Sequence, residues 1–402
     1  MIDLKAARAE PGAFRAALAR RGEETARLFD ELLAADERWR SLVPRVDELR
    51  ARTKLKGKPT PEQLAELQRV KAELKEAEEA LAAAEAERER LLALVPNPPH
   101  PSAPDGLTEE DAVELRRVGE PPAIAEPREH TEIGRFDLER AARVSGARFG
   151  YIIGDSALVA MALYQFALDH LVQAGFTPVL PPVLVREEAM IGTGFFPTDR
   201  ANIYALEADG LYLTGTSEVA LAALHMGEIL DRLPLRYAGF STCFRREAGA
   251  AGRDTRGMFR VHQFNKVEMF VFIRPEASWD EHERMLDLEE RYLQALGLPY
   301  RVVNVAAGDL GASAAKKYDI EAWFPFQQRY REVTSCSNTT DYQTRRLGIR
   351  ARGERGLEHP HTLNGTMVTD RALLAILENF QGGVPDVLLR YGAPPEVRPP
   401  SE

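Results

Sequence analysis

Between residues 28 and 95 the chain writes one pattern twice, with apolar side chains at alternating steps of four and three. Leu28, Leu32, Ala35, Trp39, Leu42, Val46 and Leu49 make the first run; Leu67, Val70, Leu74, Ala77, Leu81, Ala84, Leu91 and Val95 make the second. Such steps keep an apolar seam on one side of a helix, and a seam of this kind is buried only by facing another. Between the runs stands LKGKPTP, whose Gly57, Pro59 and Pro61 end a helix and turn the chain. The pattern predicts two antiparallel helices of about 33 residues, each roughly 50 Å long. Only Arg88 interrupts the second seam, and Pro44 inside the first helix predicts a kink. Two helices bury too little to be a globular domain, so residues 23–95 are expected to form a protruding arm or a dimer interface. Residues 1–22 read as one short helix, capped by Asp3 and stopped by Gly22.

Charge and composition narrow the function. Acidic residues number 62 and basic residues 52, a net charge of −10, which excludes a uniformly basic nucleic-acid coat. Any RNA contact has to be local. The stretch from Arg45 to Lys58 carries Arg45, Arg50, Arg52, Lys54, Lys56 and Lys58, with acids only at Asp47 and Glu48. It reads either as a solvated coiled-coil surface or as a phosphate-contacting basic tip. The two cysteines, Cys243 and Cys336, make no disulfide framework and no C-x-x-C zinc pattern, and read as small buried residues. No run approaches the ~18 apolar residues of a membrane span. MIDLKAARAEPGAF is not a signal peptide, so a reducing cytoplasm is expected.

VPNPPHPSAPDG (95–106) blocks both helix and sheet and marks a boundary, giving units 1–98 and 99–402. Beyond it, apolar β-rich runs (YIIG, LYLTG, VEMFVFI, YRVVNVAAG) alternate with helical stretches (ALVAMALYQFALDHLVQAG, SWDEHERMLDLEERYLQALG, ALLAILENFQGG). This predicts an α+β domain on a mostly antiparallel sheet.

The densest segment is 240–270, FSTCFRREAGAAGRDTRGMFRVHQFNKVEMF. Strand-like ends flank a loop in which Arg245, Arg246, Arg253, Arg256 and Arg260 fall within sixteen residues. Guanidiniums beside small residues suit a polyphosphate; equally, such arginines pair with Glu247 or Asp254 in a surface hairpin.

FRREAG, GRDTRG and RVHQFNKVE together resemble motif 2 of the class II aminoacyl-tRNA synthetases, in the form used by the seryl-tRNA synthetase family. GFTPVLPPVLV (175–185) resembles motif 1, with Pro182 at the dimer-interface position. TLNGTMVTDRALLAILENFQ (362–381) resembles motif 3, with Arg371 as its arginine. TGTSE (214–218) is similar to the family's T-x-E loop and RYREVTSCSN (329–338) to its seryl-specific segment. The arm and linker match too, so the resemblance covers nearly the whole chain. NGTMVTDR departs from the commoner N-G-S-G-L-A-V-G-R by one residue and its later glycines, and the arm tip is short by roughly a turn per helix.

The resemblance implies a class II antiparallel-sheet catalytic domain with an N-terminal coiled-coil arm. It implies ATP-dependent activation of L-serine and transfer to tRNA(Ser), and to selenocysteine tRNA where present. Arg245 would contact the α-phosphate, Arg371 the γ-phosphate and Arg256 the β- and γ-phosphates. Glu247 would meet the adenine amino group and Phe264 its ring, while Glu332 and Ser335 would hold Mg2+. Thr216, Glu218 and Glu268 would take the serine ammonium, with Glu268, Asn364 and Thr366 on its hydroxyl. On the residues alone, Phe264 reads as core and Ser335 as an ordinary strand serine. Glu268 in KVEMFVF is costly unless paired, either with a ligand or in a salt bridge. His225, His262 and His361 read as structural. Partners implied are a second copy in a homodimer and tRNA gripped by the arm. The alternatives are a class II relative that serves a non-tRNA acceptor and an inactive RNA-binding homologue.

Overall fold

The computed structural model describes residues 1–54, 60–248, 257–354 and 356–398. The chain divides into two compact units, Met1–Pro98 and Pro99–Glu402.

In the first unit the long helices are α3 (Glu23–Arg52) and α4 (Pro61–Leu94). Thr60 caps α4 in a reciprocal box with Gln63, satisfying donors at the helix start. Two clusters fill the seam. Phe29, Leu32, Ala35, Leu91, Leu92 and Val95 join Ile2, Ala7 and Leu18 at one end, and Val46, Leu49, Val70 and Ala77 pack at the other. The helix runs through Pro44 as a single element. The expected single N-terminal helix is instead two, α1 (Leu4–Ala9) and α2 (Pro11–Ala19). Pro11 takes a first-turn position, where its missing N–H costs nothing, so it restarts the chain. Gly22, at φ 119°, is the N-cap of α3 rather than a stop.

Arg88, the break in the seam, has a partner. Its guanidinium lies 3.0 Å from Asp36, which is fully buried, and 4.4 Å over the Trp39 ring. Arg8 (3.3 Å) and Arg40 (2.9 Å) complete the cage around the same carboxylate. The interruption is thus the cationic half of a buried ion cluster.

The expected basic tip is partly neutralised from the facing helix. Arg50 lies 2.9 Å from Glu78 and Arg52 3.0 Å from Glu66. Arg45 and Lys54 are exposed; Lys56 and Lys58 lie outside the described residues.

The second unit is built on an eight-stranded sheet. Its strands are β1 (Val113–Val118), β2 (Thr177–Val179), β3 (Leu235–Phe244), β4 (Gln263–Ile273), β5 (Tyr300–Asn304), β6 (Lys316–Phe324), β7 (Arg329–Thr340) and β8 (His361–Thr369). Their spatial order is β1-β5-β6-β7-β8-β4-β3-β2, antiparallel except for the β2–β3 pair. Of the β-rich runs, VEMFVFI and YRVVN lie in this sheet. YIIG gives only the two-residue strand Tyr151–Ile152, and LYLTG a short strand (Leu211–Leu213), each in a separate small sheet.

Helices α5 (Asp155–Gln173), α6 (Ser278–Ala295) and α7 (Asp370–Phe380) pack on the sheet's apolar face. Strand alternation then sorts β4. Val267, Met269 and Val271 join that core, while Phe264, Lys266 and Glu268 face the opposite side. Gly365 on β8 faces the core, where a Cβ would come within 2.9 Å of Glu289 and 3.0 Å of Cys336. Both cysteines are free and buried.

Candidate active site

The face of the sheet away from the helices carries a cavity of about 390 Å3. It is lined by Thr216, Glu218, Arg245, Glu247, Phe264, Glu268, Glu332, Ser335, Asn364, Thr366 and Arg371. These are the candidate ligand-binding residues from five separate stretches of sequence, apart from Arg256, which lies outside the described residues.

Two register shifts explain the convergence. Glu332 and Ser335 are three apart, so an uninterrupted strand would aim them at opposite faces. The pairing of β6 with β7 skips Val333, with Ile320 opposite Thr334 and Glu321 opposite Glu332. That bulge restores both side chains to the cavity side. A second shift lies between β4 and β8, where Val267 pairs with Val368 and Glu268 with Thr366, leaving Met367 extra. It brings Thr366 and Thr369 to the cavity while Met367 and Val368 both turn to the core.

Two of the cavity's arginines are positioned by different elements. Arg245 directly follows β3, which ends at Phe244; its Nε donates to the Gly215 carbonyl at 3.2 Å, and its guanidinium is 5.2 Å from the Phe264 ring centroid. Arg371 is in the first turn of α7, where Thr369 caps the helix. Its guanidinium stacks 4.5 Å over Phe259 and donates to the Glu332 carbonyl at 2.9 Å. Phe259 also carries Arg331 at 3.6 Å. Neither Phe259 nor Arg331 stands out in the sequence, because nothing in a lone Phe signals that it is an arginine platform.

The cavity also carries buried carboxylates. Glu218 is buried, and accepts from Gln343 at 2.7 Å and from Asn364 at 3.0 Å. Burial and the neighbouring Glu268 charge push its carboxyl up to about 7. Thr216 accepts from the Glu218 backbone N–H at 3.2 Å, fixing the T-x-E turn. Glu268 is 1% exposed and does have a protein partner, Lys266 at 2.5 Å. The salt-bridge alternative for Glu268 therefore holds, on a residue that also lines the cavity. Lys266 is absent from the sequence-derived candidates, although its alternation with Phe264 and Glu268 places it on their face.

Glu247 and Phe264 each line the cavity and also make contacts within the protein. Glu247, at φ 52°, pairs with Arg260 at 2.5 Å while lining the cavity. Phe264 is half-buried against the core and exposes its remainder to the cavity. Burial opposes charge on Glu332, yet Lys317, Arg371 and Arg245 outweigh it and hold its carboxyl well below the usual range. Lys317 is paired at 2.8 Å with Asp319. Among the described residues no three His, Cys, Asp or Glu side chains gather as a metal cage. One ionised carboxylate and the Ser335 hydroxyl are hard oxygen donors, the partial set suited to a Mg2+ that arrives with phosphates and keeps its waters.

The histidines are accounted for by local bonds. His225 lies 2.8 Å from the Tyr237 hydroxyl, His361 2.7 Å from Ser278, and His262 2.9 Å from the Arg245 carbonyl. Pro182 lies in the connection after β2.

A largely antiparallel sheet, with one arginine just after β3 and another at the start of α7, is the class II aminoacyl-tRNA synthetase core that the family model matches. Residues 204–380 match the tRNA synthetase class II core domain (G, H, P, S and T), and residues 1–99 match the seryl-tRNA synthetase N-terminal domain. The chain is 49% identical to a serine–tRNA ligase of Streptomyces coelicolor, covering 100% of this chain and 99% of the relative. It is 51% identical to one from Acidothermus cellulolyticus, covering 99% and 100%. A crystal structure of seryl-tRNA synthetase from Pyrococcus horikoshii complexed with ATP superposes with a TM-score of 0.93 at 40% identity, over 100% of both chains. The chain belongs to the serine–tRNA ligase family.

Proposed function

We propose that this chain joins L-serine to the α-phosphate of ATP, releasing pyrophosphate, and then passes the seryl group to the 3′ end of tRNA(Ser), and of selenocysteine tRNA where one is present. The observation that carries the reading is one cavity lined by Arg245 and Arg371 and also by Glu218 and Glu268. The reaction brings two anions together, and its transition state concentrates charge at phosphorus. Preorganised guanidiniums stabilise that charge without a protein nucleophile.

In this reading Arg245 holds the α-phosphate and the substrate carboxylate, and Arg371 holds the γ-phosphate against a bent triphosphate. Arg256 assists at the β- and γ-phosphates. Phe264 stacks on adenine, and Arg260 orients Glu247 toward the adenine amino group. Thr216, Glu218 and Glu268 take the serine ammonium, and Glu268, Asn364 and Thr366 read its hydroxyl. A site that hydrogen-bonds a hydroxyl rejects alanine because its own groups are then left unpaired. Glu332 and Ser335 would hold a Mg2+ that neutralises phosphate charge. For the second step the adenylate's own phosphate oxygen serves as base, so no histidine is assigned.

The arm, residues 23–95, grips tRNA through Arg45, Arg50, Arg52, Lys54, Lys56 and Lys58. A regular helical surface suits the shape and phosphates of a tRNA better than its bases. Residues 175–185, with Pro182, form the interface of a homodimer. Among the described residues no helix is long and apolar enough to cross a membrane, and we place the enzyme in the cytoplasm. The test is ATP–pyrophosphate exchange with each of the twenty amino acids, followed by charging of purified tRNA. Exchange with serine alone and serylation of tRNA(Ser) are expected; exchange with a different amino acid refutes the substrate assignment.

A further inference from the structure

Lys266 is a buried charge on the cavity wall that the proposed chemistry does not use. It is 5% exposed, on the cavity side of β4 between Phe264 and Glu268. Its Nζ lies 2.5 Å from Oε2 of Glu268 and 3.5 Å from the Thr366 hydroxyl, which itself lies 3.4 Å from the same Glu268 oxygen. Ammonium, hydroxyl and carboxylate thus form a closed triangle on the cavity wall.

We propose that Lys266 is a specificity-determining residue, the positive wall of the side-chain pocket, which admits a hydroxyl and rejects a side chain carrying a cation. The inference rests on the reading of Glu268 and Thr366 as the hydroxyl end of the serine site. A hydroxyl is donor and acceptor at once. It can donate to Glu268 and accept from Lys266, so both wall groups stay satisfied. A methyl in its place leaves each with one partner fewer. An ammonium of the same length can donate to Glu268 but offers Lys266 nothing, and sets a second positive charge against it where water is scarce. The charge count agrees. Two carboxylates, Glu218 and Glu268, and one ammonium leave room for one further cation, which the α-ammonium of any amino acid supplies.

The probes are L-alanine and L-2,3-diaminopropionate, the second nearly isosteric with serine and bearing an ammonium in place of the hydroxyl. Both are measured as inhibitors of serine-dependent ATP–pyrophosphate exchange by the full-length wild-type protein, above about pH 7 where Glu218 is ionised, with the inhibition constant of diaminopropionate referred to its doubly protonated fraction. Diaminopropionate is expected to bind at least about tenfold more weakly than alanine. Binding as tight as alanine's, or tighter, overturns the proposal by itself. Lys266→Met is expected to raise the KM for serine by about tenfold or more, with a smaller change in kcat, and to invert the order of the two inhibitors. A purely structural lysine predicts lower stability with the inhibitor order unchanged, and that result contradicts the proposal. Should Lys266→Met fail to fold, the wild-type inhibitor pair decides alone. If wild-type protein shows no exchange with serine, the substrate assignment has failed instead. The same pair measured against whichever amino acid does support exchange still reports on Lys266.

Discussion

The Asn364 side-chain amide donates to the Glu218 carboxylate at 3.0 Å, tying strand β8 to the end of the TGTSE segment. Gln343 donates to the same oxygen at 2.7 Å, so Glu218 is held in place while burial and Glu268 push it up to about 7. A neutral Glu218 cannot pair with an ammonium. The KM for serine is therefore expected to fall as pH rises through about 7, since the carboxyl is protonated below that value and ionised above it. Glu218→Gln should flatten this profile and raise the KM at about pH 8 by roughly ten- to a hundredfold. The linkage sign is equally defined. A carboxyl whose folded pKa lies above its unfolded value costs stability as pH rises from 4.5 to about 7, so the same variant should lose stability less than wild type across that window. Exchange kinetics and thermal melts at several pH values measure both.

Arg371 stands in the first turn of α7 and stacks on Phe259. Arg371→Ala should lower exchange by about a hundredfold to ten-thousandfold, as loss of preorganised charge at a transferring phosphate does. A loss of only a few-fold would mean that another cation carries the γ-phosphate.

Deleting residues 30–92 should leave exchange intact and abolish tRNA charging. Survival of charging in that variant would show that the arm is not the tRNA grip.

Asp36 is fully buried among Arg8, Arg40 and Arg88, guanidiniums that remain partly in water. Asp36→Ala should destabilise the first unit by about 1 to 2 kcal/mol, because three guanidiniums lose their shared buried acceptor while keeping contact with water. Calorimetry should show the shift with serine-dependent exchange unchanged.

Much of the fold and the site is legible in the sequence, for identifiable reasons. The heptads are local and periodic, so the spacing of Leu32, Val46, Val70 and Leu91 is enough to place them on the seam that they fill. Pro11 and Gly22 mislead because one helix with a stop and two helices with a shared corner have similar composition. At the site, motif resemblance supplies residues from five stretches, but not the means of their meeting. Glu332 and Ser335 share a face only because of the bulge at Val333, and a bulge leaves no composition signal. The acids that pair with Arg50 and Arg52 come from the facing helix, so a count along the chain overstates the positive charge of the tip. A lone lysine in a strand reads as a solvated residue, and the burial of Lys266 beside Glu268 is set by neighbouring strands.

The most direct measurement is a crystal structure of the protein with a non-hydrolysable seryl-adenylate analogue and pyrophosphate. The Arg245 guanidinium is expected on the α-phosphate, Arg371 on the pyrophosphate, and Glu268 within hydrogen-bonding distance of the seryl group. An analogue bound in the cavity with the seryl group away from Glu218 and Glu268, or with neither arginine touching a phosphate, would contradict it.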